Sequence, residues 1–154
     1  MIDVVVGALV RDRQVLLAFR SRHKEAHPAV WELPGGVAEP GEPELETLAR
    51  ELREELGVQV AAGSASHLCR LAVGTSKAPA RLSAWLVPEW EGTPTNLAPE
   101  EHDELRWFEL DDLPPPAHEA VRAALVAAVR GRRPRGSVST AAVCRAPRPP
   151  RPPP

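Results

Sequence analysis

Four charged residues that could do chemistry fall within six positions: Arg50, Glu51, Glu54 and Glu55. On a helix turning 100° per residue, Glu51, Glu54 and Glu55 share one face, spread over about 100°. Leu45, Leu48, Ala49, Leu52 and Leu56 form an adjoining apolar stripe. Like charges so placed repel by roughly 0.2–0.5 kcal/mol for each i,i+4 pair. A surface helix has no use for that repulsion, whereas a site for a hard divalent cation does. The chemistry this pattern points to is therefore carboxylate ligation of such a cation.

The neighbouring sequence builds the frame for these glutamates. Trp31-Glu32-Leu33-Pro34-Gly35-Gly36 is turn chemistry, with two glycines that let backbone approach an ion or ligand closely. Pro43 falls where a first helical residue belongs, Glu42 and Glu44 lie at the positive helix end, and Gly57 supplies a C-cap. The stretch Gly36–Val58 reads as a loop–helix–loop. Before it, residues 2–10 and 14–19 read as two strands separated by Arg11-Asp12-Arg13. A basic loop follows with Arg20, Arg22, His23, Lys24 and His27, read as solvated or, more sharply, as contacting phosphate. After it, residues 66–73 and 81–90 alternate like strands, 91–104 read as a polar loop, and 105–110 as a short strand. Residues 117–130 read as an Ala-rich helix. Strands, helix, strands, helix make a mixed α+β domain over residues 1–130.

Composition excludes several classes. No run approaches the ~20 apolar residues that cross a membrane, and the chain enters a strand with no signal-like segment, so a cytoplasmic protein is expected. Cys69 and Cys144 are too few and too far apart for a disulfide framework or a thiolate zinc site. Up to Arg130, 21 acidic residues stand against 13 basic ones, leaving −8, whereas the last 24 residues carry +6. So acidic a body is a poor partner for duplex nucleic acid, and an anionic substrate needs a cation between it and the protein. Residues 131–154 hold seven prolines and six arginines and are expected to be a disordered tail with no assigned partner.

The stretch resembles the Nudix box, Gly-x5-Glu-x7-Arg-Glu-U-x-Glu-Glu-x-Gly-U with U a bulky aliphatic. Gly36, Glu42, Arg50, Glu51, Leu52, Glu54, Glu55, Gly57 and Val58 fill its positions without departure. The resemblance implies an α/β/α sandwich with a mixed β-sheet and a catalytic loop–helix–loop. It further implies a hydrolase that cleaves a nucleoside diphosphate linked to another group, with Mg²⁺, or Mn²⁺ in its place. By the same resemblance Glu51, Glu54 and Glu55, with the Gly35 carbonyl, are metal ligands; Arg50 orients the glutamates and Glu42 braces the loop.

Residues 90–114 are similar to the MutT-like branch of that family, which acts on nucleoside triphosphates in nucleotide-pool sanitation or housekeeping. That similarity points to an acidic residue in the loop before Trp107 that assists catalysis, Glu101 with Glu100 beside it. His118 stands where that branch carries an asparagine that reads an oxidised guanine, and an imidazole cannot reproduce an amide's paired donor and acceptor. Arg20, Arg22 and His118 are the expected substrate contacts. For base stacking Phe19, Trp31, Trp85, Trp90, Trp107 and Phe108 are available, most of them expected in the core. An ADP-ribose or nucleotide-sugar pyrophosphatase, a ligand-sensing module without turnover, and a homodimer all remain open to the sequence.

Overall fold

The computed structural model describes residues 1–24, 29–115 and 118–131. His27 and the Arg/Pro-rich stretch beyond Gly131 lie outside the described residues.

The chain opens with strand β1 (Ile2–Arg11), turns through Asp12 and Arg13, both at positive φ, and returns as β2 (Gln14–Arg20). Two left-handed residues make the tight turn whose twist suits a hairpin. The hairpin is paired only near its tip, Val10 with Val15 and Arg11 with Gln14. Beyond that the two strands part, and the turn sequence seen at Trp31–Val37 fills the gap as β3 (Trp31–Glu32) along β2 and β4 (Gly35–Val37) along β1. The Gly7 backbone N–H donates to the Pro34 carbonyl at 2.9 Å and closes the wedge. Helix α1 (Glu44–Leu56) follows, then β5 (Gln59–Val60), β6 (Ser66–Gly74), β7 (Pro79–Val87), β8 (Trp90–Glu91), β9 (His102–Glu109) and α2 (Glu119–Arg130).

Among the described residues seven strands form one sheet in the order β3-β2-β1-β7-β6, with β4 joined to β1 and β9 to β2. The β1–β7 pair is parallel, Ile2 with Ala80 through Leu9 with Val87, and the other pairs are antiparallel, so the sheet is mixed. β5 and β8 make a separate two-stranded ribbon.

The period-2 alternation of β1 distributes its side chains over two cores. Val5 and Leu9 join Leu16, Leu48, Leu52, Leu56 and Val87 beneath α1, whereas Val6 and Ala8 join Val15, Leu17, Leu82, Leu86, Val121, Leu125 and Val129 beneath α2. The result is the α/β/α sandwich. Each fully buried leucine on α1 contributes roughly 1.5–3 kcal/mol of transfer free energy. Gly7 lets α1 settle this close, since a Cβ there would lie 2.8 Å from Leu48 Cδ1. No described helix is long and apolar enough to cross a membrane.

Several boundaries differ from the sequence reading. Pro43 is the N-cap of α1 rather than its first residue. Strand β7 ends at Val87, before Pro88, and Trp90 belongs to the separate ribbon. Strand β9 begins at His102, inside the stretch read as loop, because pairing with β2 governs there rather than hydropathy. Five of the six aromatics pack half-buried against the two cores rather than within them, and Phe19, also half-buried, lies against Trp31.

Candidate active site

Helix α1 is anchored at both ends, and this sets the direction of its glutamates. At the start, Glu44 accepts hydrogen bonds from Ser83 Oγ at 2.6 Å, Trp85 Nε1 at 3.0 Å and Arg70 Nη2 at 2.7 Å. Burial works against the Glu44 charge, but these hydrogen bonds outweigh it and lower the carboxyl pKa. At the end, Gly57 takes φ 72° and its N–H returns to the Arg53 carbonyl at 3.0 Å.

Between these anchors Arg50 gathers the acidic groups. Its Nε and Nη2 bind the two Glu42 oxygens at 2.8 and 2.9 Å, a bidentate fork. Nη1 reaches Glu51 Oε2 at 2.9 Å and Glu54 Oε1 at 3.4 Å, and Nη2 also reaches the Val37 carbonyl at 3.2 Å. Thr47 Oγ1 and the Glu39 N–H add two donors to Glu42, at 2.8 and 3.0 Å. The Arg50 hydrogen bonds, then the Glu39 N–H, lower the Glu42 pKa to about 2. Arg50 is pushed in the opposite direction, chiefly by Glu42. The loop before the helix is thereby tied to the helix's charged face.

Glu55 is different in kind. It is 7% exposed, and its Oε1 is buried without a hydrogen-bond partner. Burial first, and the Glu51 charge second, raise its pKa to about 8, against the pull of the Gly35 backbone N–H; Glu101 adds a smaller push from across the site. The two glycines fix these neighbours. A Cβ on Gly36 would overlap the Glu51 carboxylate, and one on Gly35, where φ is 154°, would strike the Val5 carbonyl. Only glycine permits the β4 backbone to lie between β1 and the acidic face of α1.

On the opposite face of the sheet, beneath α2, lies a cavity of about 330 Å³. Val4, Val6, Leu17, Leu82, Val121 and Leu125 give it apolar walls, and Trp31 lines it as well. Arg20, Lys24, Glu32, Glu101, His118 and Arg122 are its polar groups. Gly35 and Gly36 line it too, so the wedge between β1 and β2 joins the cavity to the glutamate helix. Within it Glu32 Oε2 lies 3.3 Å from Arg20 Nη1 and 3.5 Å from His102 Nε2. His102, 4% exposed, is the N-terminal residue of β9.

The expected site residues are thus distributed as follows. Glu51 lies against Gly36 and Glu55 against Gly35 at the wedge, with Arg50 joining Glu51 to the more exposed Glu54; Arg20, Glu101 and His118 line the adjoining cavity; Arg22 is exposed, its guanidinium 5.6 Å from the Phe19 ring. Glu100 is exposed and is not among the residues lining the cavity. Lys24, named from the sequence only as part of the basic loop, and Glu32 and His102, given no role there, also belong to this constellation. Lys24 had the basic loop as a signal and Glu32 its place in the glycine turn, whereas His102 sat in a segment read as loop.

The donors here are hard oxygens of the kind that suit Mg²⁺ or Mn²⁺, and Glu55 Oε1 is a buried acceptor that a cation would satisfy. Arg50 holds Glu51 and Glu54 while Glu55 lies inward. The carboxylates share a face, and among the described residues no three acidic, histidine or cysteine side chains converge on one point.

Comparison with known proteins agrees with this architecture. The NUDIX domain model matches residues 1–129. The CTP pyrophosphohydrolase of Escherichia coli (strain K12) is 39% identical over 109 residues, covering 70% of this chain and 75% of that protein. The crystal structure of a MutT NUDIX hydrolase from Burkholderia pseudomallei superposes with a TM-score of 0.69 at 34% identity, over 80% of this chain and 94% of that one. The solution structure of the E. coli ORF135 protein gives 0.69 at 32% identity, over 88% and 94%. With the complete box folded as a wedge and helix beneath one mixed sheet, the chain belongs to the Nudix hydrolase family, in its MutT-like branch.

Proposed function

We propose that this Nudix hydrolase converts a nucleoside triphosphate, ribo or deoxy, to the monophosphate and pyrophosphate with Mg²⁺, Mn²⁺ being able to replace it. One observation carries the reading: an apolar cavity of about 330 Å³, large enough for a nucleobase, is lined by Gly35 and Gly36, and Gly36 lies directly against the Glu51 carboxylate of α1. Glu51, Glu54, Glu55 and the Gly35 carbonyl would hold the cation. When bound, the cation supplies Lewis-acid stabilisation of phosphate charge and a water of lowered pKa.

The protein's own groups do the rest. Arg50 orients Glu51 and Glu54, and Glu42 holds Arg50 through its paired hydrogen bonds. Glu101, at the cavity mouth, is the base that receives the proton of the attacking water. Arg20, at the cavity wall, and Arg22, exposed beside it, are the candidate phosphate contacts, and His118 and Glu32, which line the cavity, are the candidates to meet the base. A carboxylate such as Glu32 accepts from an exocyclic amino group like that of cytosine. The relative whose name specifies CTP supports trying cytidine nucleotides first.

The test is a panel of (d)NTPs and nucleotide-sugars with Mg²⁺, the products resolved by ³¹P NMR. Pyrophosphate and a monophosphate are expected. A sugar phosphate would transfer the reading to nucleotide-sugars, and binding without turnover would make the chain a sensing module.

A further inference from the structure

We propose that Lys24 is a substrate-binding residue that holds Glu101 in the free protein and passes to a phosphate oxygen of the bound nucleotide, releasing the Glu101 carboxylate to face the reacting phosphorus. This rests on reading the site as one for nucleoside triphosphates.

The geometry behind it is specific. Lys24 Nζ lies 3.1 Å from each Glu101 oxygen, although the residues are 77 apart in sequence. The backbone beneath the pair is fixed by Ser21, which is 3% exposed. The Ser21 N–H donates to the Glu101 carbonyl at 3.0 Å, the Lys24 N–H donates to the Ser21 carbonyl at 3.1 Å, and the His23 N–H donates to Ser21 Oγ at 3.2 Å. The start of the β2–β3 loop is therefore tied to the residue whose side chain its lysine grips. The main chain is set, and the free motion left is in the lysine stem.

The ion pair itself is poorly suited to holding the fold together. Its side chains are 28% and 41% exposed, so water and salt screen it, and pairs of this kind contribute little to stability. Its position is informative instead. Both residues line the cavity that Gly35 and Gly36 share with the glutamate helix. Glu101 is close enough for its charge to act on Glu55. Arg50 is engaged with Glu42, Glu51 and Glu54, and Arg20, the other cation expected at the phosphates, shares its charge with Glu32. A polyphosphate arriving here meets a strongly acidic rim, and Lys24 is a cation placed where the chain can offer it.

The residue type suits an exchange. An ammonium on a flexible stem has three donors and no preferred fork, so it can leave one anion for another, whereas an arginine locks bidentately onto a carboxylate. A phosphate oxygen is also an acceptor for a strong charge-assisted hydrogen bond. Substrate entry thereby brings an unmasked carboxylate, and an empty site keeps Glu101 neutralised.

The experiment uses the full chain and calorimetric titration of the α,β-methylene analogue of CTP with Mg²⁺, beside Mn²⁺ binding without nucleotide followed by electron paramagnetic resonance. Lys24→Met is expected to weaken analogue binding about tenfold, the loss of one charge-assisted contact. Its nucleotide-free Mn²⁺ affinity stays equal to that of the unaltered chain or becomes tighter, since Glu101 is no longer masked. Lys24→Arg keeps the charge but locks bidentately onto Glu101, so it too is expected to weaken analogue binding, by threefold or more, and an affinity equal to that of the unaltered chain would overturn the exchange. Analogue affinity within twofold in Lys24→Met would overturn the proposal. So would parallel loss of nucleotide and Mn²⁺ binding with a lowered Tm, the pattern of a purely structural clamp. If the unaltered chain binds no nucleotide in the panel, the proposed function fails and this assignment with it; if it binds and Lys24→Met binds equally, only this assignment fails.

Discussion

Loading a divalent cation onto Glu55 must expel a proton at neutral pH. The Glu55 carboxyl is buried beside Glu51, which raises its pKa to about 8. At pH 7 about nine chains in ten therefore carry the proton, and at pH 9 about one in ten. A cation takes only the carboxylate, so binding releases ~0.9 proton at pH 7 and ~0.1 at pH 9, and affinity rises up to about tenfold per pH unit below pH ~8 before levelling. Titration of Mn²⁺ in two buffers of different ionisation enthalpy at pH 7 reads the proton count directly, and Glu55→Gln should abolish it. The same group fixes a stability slope in the chelated protein. The unfolded carboxyl ionises near the ordinary 4.5, and the folded one near 8. The neutral Glu55 thus contributes stability that is fully present below pH 4.5 and is lost as pH rises through 8. Zero proton release at pH 7, together with an affinity flat from pH 6 to 8, would mean that Glu55 is not a protonated ligand of the cation.

Other substitutions test the frame. Gly36→Ala forces a Cβ into the Glu51 carboxylate; circular dichroism should show an intact fold while kcat falls by roughly 10²-fold, the cost of misplacing a reacting group by about 1 Å. Arg50→Lys keeps a charge but loses the fork to Glu42, so kcat should fall roughly 10–100-fold with KM changing less, and equal kcat would remove the orienting role. Ser83→Ala deletes one donor to Glu44 and should cost ~1 kcal/mol, seen as a Tm lower by ~4 °C; an unchanged Tm would show that this anchor of α1 is dispensable.

What could be read from the sequence was what is local. The periodicity of Leu48, Leu52 and Leu56, the Gly57 cap and the clustered glutamates specify α1 without any distant partner. The two hairpin strands are equally plain, being β-branched, apolar and separated by a tight turn. The wedge was legible only as a glycine turn. Strands of two and three residues have no periodicity of their own, and β3 and β4 exist because β1 and β2 part and leave backbone groups to be paired. Strand β9 was hidden for a related reason. Its start, His102-Asp103-Glu104, is polar in composition, yet His102 and Glu104 pair with Arg20 and Phe19 across a register shift and the imidazole is buried. Long-range partnerships such as Lys24 with Glu101 or Glu44 with Ser83 leave no trace in spacing at all.

If the α1 carboxylates are the metal-dependent hydrolytic machinery for a triphosphate, their loss must remove turnover. The most direct measurement is pyrophosphate release from CTP across an Mg²⁺ titration for the unaltered chain, Glu54→Gln and Glu55→Gln. Turnover should require the cation and fall by at least roughly 10²-fold in each variant, since outer partners of metal ligands alone account for 10–100-fold. Undiminished turnover in both variants would contradict that role.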